Sequence, residues 1–113
     1  MSTAPDTNAT VQHAPDRQRY ELLVDDKLAG FTEYRDDEGR RVFFHTEIDD
    51  AYAGRGLSGI LVSNALEDVR RSGLRVVGVC PLVAKYLSKH SEYDFLADPV
   101  TPAILEFIKK STS

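Results

Sequence analysis

The residue most capable of chemistry in this chain is its only cysteine, Cys80. It ends a run of β-branched residues and is followed at once by Pro81 and a helical pattern. A thiol beside a helix N-terminus is favoured as the thiolate, which is the nucleophile in acyl transfer. A free cysteine is also often a buried and inert packing residue. Two interpretations are therefore open, a catalytic or cofactor-adjacent thiol and a packed one.

A second group of residues could move protons. His45 lies in an extended run, where strict alternation would place its side chain on the same face as Phe43 and Glu47. It is either a general base for Cys80 or an incoming ammonium group, or a hydrogen-bonded histidine at the sheet surface. Glu47 could orient His45, act as the base itself, or be an exposed strand carboxylate.

The third feature is a glycine-rich turn, in which Gly54, Arg55 and Gly56 are followed by Gly59 one helical turn later. Backbone N–H groups at a helix start bind anions, and Arg55 would add a positive charge. The same glycines also suit a tight strand-to-helix turn that binds nothing. The sequence lacks the Lys-Ser/Thr of a Walker A loop and the βαβ context of a dinucleotide-binding fingerprint.

The elements that must position these residues follow from the periodicity. Three extended runs joined by polar turns predict an antiparallel meander, and a switch to helical spacing at Leu57 predicts a long amphipathic helix that ends before Gly73. A fourth strand, a helix that begins at Pro81 and a last amphipathic helix complete the order β-β-β-α-β-α-α. We therefore predict an α+β domain over residues 18–113, preceded by a disordered tail over residues 1–17.

Composition excludes several classes of protein. A chain of 113 residues forms a single domain, and its net charge of −4 argues against a nucleic-acid binder. No apolar run is long enough to span a membrane, and the N-terminus does not resemble a signal peptide. One cysteine forms no internal disulfide, so we expect a cytoplasmic protein. The spacing of Cys and His residues predicts no metal site.

The motifs in combination resemble the GNAT superfamily of acetyl-CoA-dependent N-acetyltransferases, in its minimal single-domain branch. The likeness extends from about Tyr20 to Ile108. It rests on three motifs in order, which are His45-Thr46, the turn from Gly54 to Ser58, and Cys80-Pro81 with the later His90-Ser91-Glu92-Tyr93. One departure is Ala53, which stands where the superfamily's phosphate turn usually begins with Gln or Arg.

The resemblance implies that acetyl-CoA or CoA binds in a cleft between two splayed strands. The pantetheine arm would follow the strand that ends near Ile48, with its thioester pointing toward Cys80. The pyrophosphate would lie on the turn, whose cofactor-binding residues are Gly54, Arg55, Gly56, Leu57, Ser58 and Gly59. Many members carry a tyrosine that protonates the departing CoA thiolate, and Tyr86 fits that role unless it is only a core residue.

The activity implied is transfer of an acetyl group to an amine, either directly or through Cys80. The acceptor would be a small molecule or a protein lysine, and Glu47, Asp49 and Asp50 favour a cation. A domain this small leaves little chain for an acceptor-binding wall, which a second subunit of a homodimer could supply. The alternatives are a non-catalytic acyl-CoA-binding or interaction module, and a thiol sensor that uses Cys80 without CoA.

Overall fold

The computed structural model describes residues 8–54 and 56–112. Five strands and three α-helices lie in these ranges, with short 3-10 turns between some of them. The α+β order predicted from periodicity is confirmed, with one additional strand. The elements are β1 Ala9–Ala14, β2 Arg19–Val24, β3 Lys27–Asp37, β4 Arg40–Ile48, α1 Leu57–Arg71, β5 Arg75–Gly78, α2 Pro81–Lys89 and α3 Pro102–Thr112.

The strands form one mixed sheet in the order β1-β2-β3-β4-β5. The first four are antiparallel neighbours, and β5 runs parallel to β4. The crossover from β4 to β5 is α1, as a parallel connection requires. The predicted meander of three strands therefore has a fourth member, β1.

The prediction of a disordered tail over residues 1–17 is wrong for its second half. Residues 9–14 form β1, which pairs in register with β2 from Ala9 opposite Val24 to Ala14 opposite Arg19. The sequence of β1 has few large apolar residues, because a six-residue strand at the edge of the sheet buries little surface. Its order comes from the ladder with β2, which composition does not reveal. Residues 1–7 lie outside the described residues.

The two faces of the sheet are covered unequally. The larger core lies on the face that carries α1 and α2, and includes Tyr20, Leu22 and Phe43 of the sheet together with Val83 of α2. The apolar face of α1 is buried there, namely Leu57, Leu61, Val62, Ala65, Leu66 and Val69. The opposite face carries α3 alone, where Ile104 packs against Val42 and Val77.

A β-bulge in β4 changes which side chains share a face. His45 pairs with Glu33, whereas Phe43 pairs with Tyr34, so Phe44 is an extra residue with no partner in the ladder. Phe43 consequently packs in the larger core, while His45 points to the opposite face. The predicted common face for Phe43 and His45 is therefore wrong, and that for His45 and Glu47 holds, because their side chains are hydrogen-bonded.

One glycine marks a close approach between strands, which gives a test of the packing. A Cβ at Gly30 would lie 2.5 Å from the carbonyl oxygen of Glu47 and 2.7 Å from Cδ1 of Ile48. We expect Gly30→Ala to lower the free energy of unfolding by about 1–3 kcal/mol in urea denaturation, since β3 must move away from β4. The control is Gly59→Ala, whose Cβ would meet no atom within 4 Å inside α1. It should be neutral or stabilising by roughly 0.5–1 kcal/mol, and equal stabilities for the two variants would contradict this packing.

Candidate active site

The turn between β4 and α1 leaves the N-terminus of α1 open. Gly54 and Gly56 have φ angles of +81° and +73°, a region that glycine adopts without strain. Gly56 is the N-cap residue and offers no side chain to the first-turn N–H groups, and the first turn holds no acidic residue. A Cβ at Gly54, Gly56 or Gly59 would meet no heavy atom within 4 Å. Among the described residues, therefore, no side chain caps the positive end of α1, an arrangement suited to phosphate. Arg55, predicted to add charge here, lies outside the described residues.

A pocket of about 210 Å³ lies between this turn and the end of β4. Five of the seven predicted cofactor-binding residues line it, together with Tyr52, Ala53 and Leu82. The five are Ile48, Gly54, Gly56, Leu57 and Ser58. The structure thus brings Ile48, at the end of β4, into the same pocket as Ser58 in the first turn of α1.

A larger groove of about 440 Å³ runs on from Ser58 between the start of α1 and α2. Gly59 lines one side of it, and Lys85 and Lys89 line the other. The two lysines are four residues apart, so they share one face of α2. With the open end of α1, they give the groove a positive character that suits an anionic ligand. Sequence reasoning missed both lysines, although their spacing on a predicted helix was a usable signal.

Tyr86 also lines this groove and is half-buried. Its ring stacks on that of His90, with centroids 3.8 Å apart and planes 10° apart. Nδ1 of His90 lies 2.9 Å from the Tyr86 carbonyl oxygen. A carbonyl only accepts, so Nδ1 is the donor in this hydrogen bond. The end of α2 therefore presents a rigid aromatic pair to the groove.

A tyrosine after α2 fixes this helix against α1. The Tyr93 hydroxyl donates to a carboxylate oxygen of Glu67 at 2.8 Å. Burial, and then the hydrogen bond to Glu67, raise the pKa of Tyr93 to about 12. The hydroxyl therefore remains a donor at neutral pH, and this hydrogen bond connects the segment after α2 to α1.

Cys80 lies at the point where β5 leaves β4. Cys80 is 4% exposed and is the N-cap residue of α2. Its Sγ lies 3.2 Å from Oγ1 of Thr46, and that hydroxyl lies 2.9 Å from Oγ1 of Thr32. Thr32 is fully buried, so two hydroxyl groups in series lead from the sheet interior to the sulfur. Sequence reasoning gave Thr46 no role of its own and did not single out Thr32.

His45 lies on the other face of β4 from Cys80. Its Nε2 lies 2.7 Å from Oε2 of Glu47, and its ring is 6.0 Å from that of Phe31. Thr46, the next residue, points to Cys80 because successive strand residues alternate. The predicted proton transfer from Cys80 to His45 is therefore not supported by the geometry. His45 and Glu47 form a pair with each other instead.

A separate pocket of about 210 Å³ lies beside Glu47. Its lining includes the apolar residues Leu28, Phe31 and Ile48 and two acidic residues, Glu47 and Asp49. Asp50, also predicted to face the acceptor, does not line this pocket. An apolar lining with two acidic residues suits an organic cation.

The described part of the chain contains neither a metal-binding cluster nor a membrane-spanning helix. Residues 8–54 and 56–112 contain no group of three or more His, Cys, Asp or Glu side chains that could hold a metal ion. No helix within these ranges is long and apolar enough to cross a membrane.

The profile of the GCN5-related N-acetyl-transferase family matches residues 19–96. This chain belongs to that family. No curated protein sequence matches it. The predicted superfamily is therefore confirmed. The groove and the glycine turn can be interpreted as parts of an acetyltransferase.

Two solved structures of acetyltransferases are similar to this chain. A GCN5-like protein from Staphylococcus aureus, solved by NMR, superposes with a TM-score of 0.64 at 17% identity, over 85% of this chain and 94% of that one. The ribosomal-protein-S18-alanine N-acetyltransferase from Escherichia coli gives a TM-score of 0.49 at 15% identity, over 66% of this chain and 43% of that one. The first of these confirms the GNAT-like fold.

In this acetyltransferase fold, Thr46 and His45 lie on opposite faces of β4. We therefore predict that Thr46, and not His45, controls the reactivity of the Cys80 thiol. We expect Thr46→Val to slow alkylation of Cys80 by iodoacetamide on the order of tenfold, because a hydroxyl donor to the thiolate is lost. Thr46→Ser, which keeps the hydroxyl, should react at nearly the wild-type rate. His45→Ala should also leave the rate unchanged, and a slowing as large as that of Thr46→Val would contradict the assigned faces.

Proposed function

We propose that this protein is an acetyl-CoA-dependent N-acetyltransferase whose acceptor is a cationic amine. The observation that carries the proposal is the open N-terminus of α1, which leads directly into a groove containing Lys85 and Lys89. Membership of the GCN5-related family supports the reaction class. A non-catalytic module that binds CoA would use the same groove, so turnover has to be tested separately from binding.

The residues of this region fit the chemical parts of CoA. The open N–H groups from Gly56 to Gly59 suit its pyrophosphate, and Lys85 and Lys89 suit the remaining phosphate on the ribose. The pocket at Ile48 and Leu57 is apolar enough for the pantetheine arm. Residues 44–48 of β4 extend beyond the last pair with β5, which leaves a strand edge along which that arm can bind.

Bound acetyl-CoA supplies an acetyl group activated as a thioester. Glu47 and Asp49 attract the ammonium group of the acceptor into the neighbouring pocket, because opposite charges favour a protonated amine there. The amine must lose a proton before it can attack, and His45, oriented by Glu47, accepts that proton. Tyr86, which lines the groove, would donate its hydroxyl proton to the sulfur of CoA as it leaves.

Cys80 offers a second route, in which the thiol first receives the acetyl group and then passes it to the amine. The hydroxyls of Thr46 and Thr32 would donate in series toward its thiolate. Neither hydroxyl is a base, and His45 lies on the other face, on the same side as Glu47. Direct transfer requires a base for the amine alone, whereas the route through Cys80 also requires a base beside the thiol. This difference favours direct transfer to the amine over the route through Cys80.

The cofactor site can be tested by two matched glycine substitutions. We expect Gly56→Val to weaken CoA binding at least tenfold in isothermal titration, since it alters the backbone whose N–H groups bind phosphate. Gly39→Val is the control, because Gly39 has a φ of +81° in the β3–β4 hairpin, remote from the groove in the fold, and carries a similar backbone strain. The Gly39→Val variant should bind CoA with the affinity of the wild type. A folded Gly56→Val variant with unchanged affinity would place the site elsewhere.

Turnover can be tested with acetyl-CoA and a panel of amines. We expect cationic amines to be acetylated, with KM rising as salt screens Glu47 and Asp49 and rising again in Glu47→Gln. Cys80→Ala should retain most of the activity if transfer is direct, and none if the thiol carries the acetyl group. Faster reaction with neutral or anionic amines would contradict the proposed acceptor. CoA binding without any turnover would establish the non-catalytic alternative.

A further inference from the structure

The edge strand β1 lies outside residues 19–96, the part of the chain that matches the family. It pairs with β2 along one side, and its contribution to the core is small, since Ala9 and Val11 are only partly buried. Edge strands of this kind separate easily from a sheet. Any side chain that ties β1 to the rest of the domain therefore has a large influence on whether it stays attached.

His13 is that side chain. Its ring stacks on Tyr20 of β2, with centroids 4.4 Å apart and planes 15° apart. Nε2 is hydrogen-bonded to the hydroxyl of Tyr34 on β3. Nδ1 lies 3.6 Å from Oδ2 of Asp68 on α1. One residue of β1 thus contacts two further strands and the helix that begins at the glycine turn.

The charges around His13 are balanced when its ring is neutral. Asp68 lies 3.8 Å from a guanidinium nitrogen of Arg41 and 3.9 Å from one of Arg71. Arg41 forms two hydrogen bonds with Asp36, at 2.8 Å and 2.9 Å. Two arginines and two aspartates compensate one another, so a proton on His13 would add an uncompensated positive charge beside Arg41.

We propose that His13 is a proton-sensitive latch, which holds β1 against the sheet and α1 when neutral and releases β1 when protonated. Release would open the cavity of about 100 Å³ that His13 and Val11 line with Tyr20, Asn64, Asp68 and Arg71. It would also uncover the edge of β2. The latch is independent of the proposed acetyl transfer, because no residue of the cofactor groove takes part in it.

The direction of the effect follows from the environment of the ring. Burial, and then the charge of Arg41, lower the pKa of His13 from its usual 6.5, against the opposing influence of Asp68 and Asp36. A released β1 exposes the ring to water, where it binds a proton more readily. The attachment of β1 is therefore complete above about pH 6.5 and weakens as the pH falls toward the lower pKa of the attached state.

Hydrogen exchange of the full chain between pH 7.5 and 5 tests the latch. After correction for intrinsic exchange, we expect the opening of the β1 amides to increase by up to tenfold per pH unit below about 6.5. The β4 amides should show no comparable increase. In His13→Phe, which keeps a ring on Tyr20 and cannot bind a proton, the opening of β1 should be independent of pH. His45→Phe is the control, because it removes a histidine on the other face and should retain the wild-type response.

An NMR titration of the His13 ring in the wild-type protein provides a second measurement, which does not depend on whether His13→Phe folds. We expect a midpoint below 6.5. A midpoint at or above 6.5, or an opening of β1 in His13→Phe that depends on pH as in the wild type, would overturn the proposal.

Discussion

The carbonyl of Phe43 accepts hydrogen bonds from the N–H groups of both Val79 and Cys80, at 2.9 Å and 3.1 Å. Among the described residues, these are the last backbone hydrogen bonds between β4 and the segment that follows β5. Beyond Phe43, β4 continues to Ile48, while the chain after β5 turns into α2. The pocket at the glycine turn, the groove beside α2 and the position of the thiol all depend on this parting of the two segments.

The bulge at Phe44 adds a second constraint at the same place. Because it inserts one residue into β4, Phe43 and Thr46 both point toward the face of α1 and α2, and His45 points away from it. Two reactive side chains that are close in the fold are thereby separated by the sheet. The thiol is left with hydroxyl partners, and the imidazole is left with a carboxylate, in two different solvent environments.

Polar side chains, in addition to the apolar core, connect the sheet to α1 at the end remote from the glycine turn. Arg41 is only 8% exposed, and it bonds to Asp36 and to the hydroxyl of Tyr20. Tyr20 in turn donates to Asp68 of α1 at 2.6 Å. Arg41 is the buried charge of this network, and Asp36 accepts two of its hydrogen bonds, so removing Asp36 would leave the guanidinium poorly compensated. This network therefore fixes the orientation of α1 on the sheet, and with it the direction of its open N-terminus.

The order of the elements could be predicted from the sequence, because periodicity and turn residues report local conformation directly. The family could be predicted from its motifs, and the glycine turn from Gly54 and Gly56, which adopt the positive φ that favours glycine. The strand over residues 9–14 could not be predicted, because its order comes from pairing with β2 and not from its own composition. The contact of Cys80 with Thr46 and not with His45 could not be predicted either, because a bulge reverses the alternation that strand patterns assume. The local chain fixes which residues can do chemistry here, and long-range pairing fixes which of them can reach one another.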